Sequence, residues 1–209
     1  MQFEKSYFDK HYKEIFTRNP YKKLSFLLEK IKHYKNGGKL LDIGFGYGAF
    51  LSFAKNSFQV YGIDYSAYTV ERLQKDIKTV KQGSAEKIPF QSNFFDVVSC
   101  LDVLEHVPSL EKAFSECRRV LKKDGVFLLL LPVYGGMSGP FIKLLDNDKT
   151  HIHKYSREFW LKKIEIEGFT LLEWGGIFRY LFFQKYYFHY PTIFLRDHAP
   201  AIFILAKKK

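Results

Sequence analysis

A doubly wound α/β fold, with a mostly parallel sheet covered by helices on both faces, is what this sequence predicts. Three observations carry the prediction. Short apolar runs alternate with helical patterns from about residue 39 to residue 131. Two of the runs, LLDI at 40–43 and VFLLLL at 126–131, are nearly continuous, as strands buried on both faces are. The first run passes directly into a turn with three alternate glycines, LLDIGFGYGAFL, at 40–51.

Taken in order, residues 3–16 and 20–35 carry helical patterns. Asn19-Pro20 reads as an N-cap followed by proline at the first helical position, and Gly37-Gly38 as a stop. Strands are expected at 39–43, 59–63, 79–82, 96–100 and 126–131, with helices at 49–56, 67–77 and 110–121 between them. Residues 134–155 read as a long loop, a feature that in compact domains usually serves function. Ser156 caps a helix that ends at Gly168, and 169–174 and 201–206 read as two closing strands. The expectation is a seven-stranded sheet with an antiparallel strand at its C-terminal end. The chain divides into a helical lid at 1–38, a ligand-binding half at 39–133 and a second half at 134–209 with an aromatic insertion at 177–199. All belong to one domain, since 209 residues supply one sizeable core.

Composition narrows the function classes. The charges near the N-terminus, MQFEKSYFDKHYKE, do not suit a signal peptide, and no run of eighteen apolar residues suggests a membrane span. Two cysteines, Cys100 and Cys117, in separate expected elements do not suggest a disulfide framework. Together these point to the cytoplasm. The net charge of +11 raises nucleic acid or an anionic membrane as partners. The lysines, however, are scattered over polar helix faces, and only 207–209 form a block, which reads as a solvated tail.

The glycine turn alone leaves its ligand open, because Gly44-x-Gly46-x-x-Ala49 also satisfies a dinucleotide pattern. Asp42, two positions ahead of Gly44, narrows the choice. A carboxylate there repels a pyrophosphate and suits a ligand carrying an ammonium group. Asp64, at the end of the second strand, stands where an acidic side chain accepts ribose hydroxyls.

With those two aspartates in place, LLDIGFGYGAFL, VYGIDYS, GSAEKIPF (83–90) and FDVVSCLDVLEHV (95–107) resemble, in this order and spacing, the class I S-adenosylmethionine-dependent methyltransferases. The similarity is to the small-molecule branch that includes ubiquinone-biosynthesis and sugar or natural-product enzymes. It covers 38–131 well, and HIHKYSREFWLKKIEIEGF extends it to about 174. The resemblance implies a Rossmann-like fold, S-adenosylmethionine as cofactor and S-adenosylhomocysteine as product. It implies roles as well: Asp42 for the methionine ammonium; the backbone of Gly44, Phe45 and Gly46 for methionine and ribose; Asp64 for the ribose hydroxyls. Tyr65 would pack on the adenine, Ser84 and Ala85 would reach its edge, and Cys100 and Leu101 would close the pocket. Many members carry Asp where this chain has Ser84. For Tyr65 and Cys100, plain core packing is the competing reading.

Methyl transfer needs in-line alignment, water exclusion and, for a hydroxyl acceptor, a general base. Asp102, Glu105 and His106 share one face if their segment is helical, a spacing open to a metal, to a catalytic histidine or to simple structure. His151 and His153 point to one side if extended. His106 and His151 are the candidate catalytic residues, and no metal is assigned, because no third ligand lies near the His-x-His pair in sequence. Tyr7, Phe8 and Tyr12 would fold over the cofactor, Tyr12 near the carboxylate, or pack on the sheet. The aromatic stretch 177–194 fits an acceptor wall, a membrane-surface contact, a dimer interface or an extra helix packed on the sheet. The expected function is methyl transfer to O, N or C of a small molecule. An RNA or protein methyltransferase, a non-catalytic cofactor-binding protein and an NAD dehydrogenase are the other readings. The absence of an Asn-Pro-Pro-Tyr-type motif after the fourth strand disfavours base methylation of nucleic acid.

Overall fold

A computed structural model of the chain describes residues 21–135, 139, 143, 146, 148–182 and 186–209, with the side chains of 179–182 and 186–189 left out. The expected helix at 3–16, the Asn19-Pro20 cap and the lid residues Tyr7, Phe8 and Tyr12 lie outside the described residues. So do most aromatic side chains of the 177–194 stretch.

Helix α1 (Tyr21–Tyr34) forms where Leu24, Leu27, Leu28 and Ile31 repeat at helical spacing, and all four are buried. Each contributes about 2 kcal/mol by leaving water. The chain then alternates: β1 (Lys39–Ile43), α2 (Ala49–Ala54), β2 (Gln59–Asp64), α3 (Ala67–Leu73), β3 (Val80–Gln82) and β4 (Phe95–Leu101). A single 3-10 turn at Leu104–His106 precedes α4 (Leu110–Val120), β5 (Leu121–Pro132) and α5 (Arg157–Ile166). Three further strands complete the chain: β6 (Phe169–Phe182), β7 (Tyr186–Thr192) and β8 (Ala201–Lys208).

All eight strands form one sheet in the order β3-β2-β1-β4-β5-β8-β6-β7. The first five are parallel neighbours, and β8 enters antiparallel between β5 and β6. Period two in the strands feeds two cores. On β5, Phe127, Leu129 and Leu131 join the cluster beneath α4 and α5, while Val126, Leu128 and Leu130 join the one beneath α1, α2 and α3. This is why the run VFLLLL shows no alternation: both of its faces are buried.

Among the described residues the sheet has eight strands where seven were expected. Strand β6 does not end at residue 174. It continues to Phe182 and pairs antiparallel with β7, so the described residues of 177–192 form paired strands and not an extra helix. Phe, Tyr and Ile dominate the stretch and favour extended backbone over helix. The ladder of β6 with β8 ends at Ile177↔Ala201, but the β6–β7 ladder continues from Phe178↔Tyr190 to Phe182↔Tyr186. The hairpin therefore overhangs the sheet by five rungs, about 17 Å at strand rise. Ala201 pairs with Pro132 at the carboxyl end of β5, so the overhang lies at the same end of the sheet as the ends of β1, β4 and β5.

Candidate active site

The order β2-β1-β4 places a crevice outside the carboxyl ends of β1 and β4, the position where open α/β sheets take ligands. The glycine turn leaves β1 there. Gly44, Gly46 and Gly48 all have positive φ, at 68°, 53° and 75°. Gly44 is required twice over, because a Cβ built on it falls 2.4 Å from Val103 Cγ2. The turn after β4 thus presses directly on the turn after β1. The Gly44 N–H is tied to the Ile63 carbonyl at 2.7 Å, and the Gly46 N–H to Asp64 Oδ2 at 2.8 Å. Gly48 caps α2 in a left-handed conformation, a role that the pattern ending in Ala49 did not reveal.

Asp42 is buried at the C-terminal end of β1. It pairs in register with Ser99 of β4, whose hydroxyl donates to Asp42 Oδ1 at 2.7 Å. Burial pushes the Asp42 carboxyl up to about 7; the Ser99 hydrogen bond opposes this, and the nearby Asp64 adds to it. Asp64 is also buried and raised by burial, against hydrogen bonds from the N–H groups of Ser66 and Gly46. Two buried carboxylates flanking the glycine turn make a cradle for positive charge and a poor one for phosphate. Ser99 was not singled out from sequence, although a serine inside the apolar run VVSCL is the signal that marks it.

Among the other predicted cofactor residues, Tyr65 stands at the end of β2 with 53% of its surface exposed, placed to cover a flat ligand. Phe45 and Ala85 bury their side chains in the two cores and offer backbone. The Ser84 hydroxyl accepts from the Glu86 N–H at 3.1 Å. Its loop is tied down by Glu86 to the Ser109 N–H, by Glu116 to the Ile88 N–H and by Arg119 to the Ile88 and Phe90 carbonyls. Cys100 is fully buried, its thiol pushed well up by burial, so its side chain is core; Leu101 is half-buried beside it.

The expectation that Asp102, Glu105 and His106 share a helical face is corrected. Asp102 has left-handed φ, 57°, and donates its N–H to the Leu130 carbonyl at 2.8 Å. Its carboxylate lies 3.6 Å from Lys23 Nζ of α1. Only Leu104–His106 turn, as 3-10. His151 is brought to this turn from 45 residues away. Its ring centroid is 4.7 Å from that of His106, and the Ile152 and His153 N–H groups both donate to the Glu105 carbonyl. Burial, with His151 as neighbour, pushes the His106 pKa down. Glu105, His106 and His151 bring ligand atoms within 4.8 Å of one another, a set able to hold a divalent ion. His153 does not join them: it bonds to the Val107 carbonyl at 2.8 Å and stacks on Tyr155. Tyr134, Asp146 and Thr150, which sequence reasoning missed, complete the cluster.

Comparison with known proteins agrees with this geometry. Residues 41–129, which hold the glycine turn, both aspartates and the turn at His106, match the model of the methyltransferase domain family. Over these residues the chain carries a methyltransferase domain. It is 36% identical over 148 residues to an uncharacterized methyltransferase of Bacillus subtilis, YcgJ, covering 67% of this chain and 54% of that protein. It is 38% identical over 106 residues to a sterol 24-C-methyltransferase of Gibberella zeae, covering 44% and 27%. The chain thus spans about half and about a quarter of these two curated relatives. A solved S-adenosylmethionine-dependent methyltransferase of Thermotoga maritima shares the fold, with TM-score 0.71 at 19% identity over 97% of this chain and 98% of that one. A methyltransferase domain of this kind takes S-adenosylmethionine as cofactor, and the anionic cradle at Asp42 and Asp64 fits its positive charges.

Proposed function

We propose that this methyltransferase moves a methyl group from S-adenosylmethionine to oxygen, nitrogen or carbon of a small-molecule acceptor. The cofactor supplies a methyl carbon already activated on a sulfonium. The observation that carries the reading is the pair of buried carboxylates around the glycine turn. Asp42, oriented by Ser99, takes the methionine ammonium. The Gly44–Gly46 backbone lines methionine and ribose. Asp64, held by the Gly46 and Ser66 N–H groups, accepts the ribose hydroxyls with its remaining lone pairs. Tyr65 covers the adenine, Ser84 and Ala85 meet its edge, and Cys100 and Leu101 close the floor. His106 and His151 stand at the acceptor end, and the transfer needs no metal. Calorimetry tests the cofactor assignment: S-adenosylmethionine binds and NAD does not. Binding of NAD alone overturns it.

The acceptor is apolar in this reading. Its support is the aromatic hairpin, which projects from the same end of the sheet as the crevice, and the sterol enzyme among the relatives is consistent with it. Beside the hairpin's base, Tyr190, Ile193, Phe194 and Leu195 are exposed, Phe194 by 97%. Lys22 lies over the Tyr190 ring and Arg196 over Trp174. This patch suits contact with an anionic membrane surface. Anionic vesicles should sediment the protein, and Phe194→Asp should weaken the effect; no sedimentation removes membrane contact from the reading. Cys100 and Cys117 are both free and buried, as a reducing cytoplasm allows. Among the described residues no helix is long and apolar enough to cross a membrane.

A further inference from the structure

The hydrogen bonds around His151 favour a proton on one particular ring nitrogen. His151 Nδ1 lies 2.9 Å from Asp146 Oδ1 and 2.9 Å from the Tyr134 hydroxyl. Tyr134 in turn donates to Asp146 Oδ2 at 2.8 Å, and Lys154 Nζ sits 2.7 Å from the same oxygen. Burial works to raise the Asp146 carboxyl, but bonds from Lys154, Tyr134 and His151 outweigh it and hold it down to about 2. An ionised carboxylate only accepts, so the proton between them resides on His151 Nδ1. In the neutral ring the lone pair then falls on Nε2, at the other end of the ring. His106 obeys the same rule. The Thr150 hydroxyl spends its one proton on Asp148 Oδ1, so its oxygen accepts from His106 Nδ1, 2.8 Å away.

We propose that Asp146, with Tyr134, is a positioning pair that locks His151 as an Nδ1–H imidazole, making Nε2 the general base for an acceptor carrying an ionisable O–H. The proposal rests on the methyltransferase reading and narrows its acceptor class. Three placements support it. The His151 side chain is not fully buried, keeping 17% of its surface open. It is clamped to the 103–106 turn, and Val103 of that turn presses on Gly44, so base and donor turn share one wall. Asp148 Oδ2 lies 3.9 Å from Nε2, close enough to favour the ring once it gains a proton.

The step balances. As the acceptor oxygen bonds to the methyl carbon, its proton passes to His151 Nε2. The C–S bond breaks, and its electron pair stays on sulfur. One positive charge is lost at sulfur and one appears on the imidazolium, facing Asp146 and Asp148; the proton later leaves to water. A neutral amine or a carbon nucleophile would not call for a base so firmly oriented before attack.

Two measurements test this, and the first needs no acceptor. Long-range proton–nitrogen NMR of the histidine rings should show His151 as a single Nδ1–H tautomer in the wild type and as a mixture in Asp146→Asn. An Nε2–H or mixed wild-type ring overturns the proposal. Calorimetry on the same variant should give S-adenosylmethionine affinity within about twofold of wild type, which separates loss of positioning from misfolding. A wild type that fails to bind S-adenosylmethionine defeats the methyltransferase reading instead. Second, an acceptor-library screen should return hydroxyl compounds, with kcat in Asp146→Asn down about 100-fold and KM little changed. Tyr134→Phe, which leaves the carboxylate, should lose less. A screen that returns only acceptors without an O–H, or an Asp146→Asn enzyme with wild-type kcat, overturns the assignment of the base.

Discussion

At the scale of single residues, Asp42 combines the proposed binding role with a cost to folding. Its folded pKa of about 7 stands above the ordinary carboxylate value, so the folded chain holds a proton there that the unfolded chain releases near pH 4. Its contribution to stability is therefore greatest below pH 4 and declines as pH rises toward 7. A bound ammonium reverses the preference by favouring the charged form. S-adenosylmethionine should bind with proton release between pH 5 and pH 7, and affinity should fall as pH drops through this window. Calorimetry in buffers of different ionisation enthalpy measures the release directly. Asp42→Asn keeps the shape and the Ser99 contact but removes the charge. It should weaken cofactor binding about tenfold or more, and at pH 8 it should raise the thermal midpoint. A variant losing both binding and stability would contradict this account. Asp42 and Asp64 were legible in the sequence because each sits at a fixed offset from a strand end and a glycine. Ser99 and Asp146 were not. Ser99 reaches Asp42 across 57 positions, and Asp146 acts through a loop whose path no periodicity encodes.

At the scale of elements, the glycine turn and the turn after β4 behave as one unit. Gly44→Ala meets two obstacles at once, a positive φ and Val103 Cγ2 at 2.4 Å. It should cost about 2–4 kcal/mol in urea unfolding and abolish cofactor binding. Adding Val103→Ala should recover part of the stability, which a purely conformational penalty at Gly44 would not allow. The trio of Glu105, His106 and His151 makes its own prediction. Exhaustive chelation should leave turnover unchanged; a loss restored by a divalent ion assigns the trio a metal instead. Strands β1, β2, β4 and β5 were readable because two buried faces demand continuous apolar runs. The 102–106 segment was not, since acid and histidine spacing suits a helix whereas Asp102 takes a left-handed backbone to bond Leu130. The β6–β7 hairpin was missed for a related reason: nearly every residue is aromatic or bulky, so no period distinguishes strand from helix.

At the scale of the whole molecule, the proposed reading separates donor from acceptor by position along the strand order. The proposed donor contacts come from β1, β2 and β4, whereas β8 and the overhanging hairpin lie beyond β5. Replacing residues 179–189 by a two-residue Asn-Gly turn joining Phe178 to Tyr190 should leave the fold and cofactor affinity intact, because β8 still bridges β5 and β6. Acceptor turnover should fall by an order of magnitude or more. Unchanged turnover would remove the hairpin from the acceptor site. The donor half was legible from motifs because every enzyme of this class solves the same cofactor problem there. Residues 134–209 were not, because no comparable motif marks their segments.

Tyr134 and Asp146 both touch the same imidazole, yet eleven positions lie between them. Two positions far apart in sequence therefore hold one ring, so a substitution at either of them is felt at the imidazole before it is felt in the sheet.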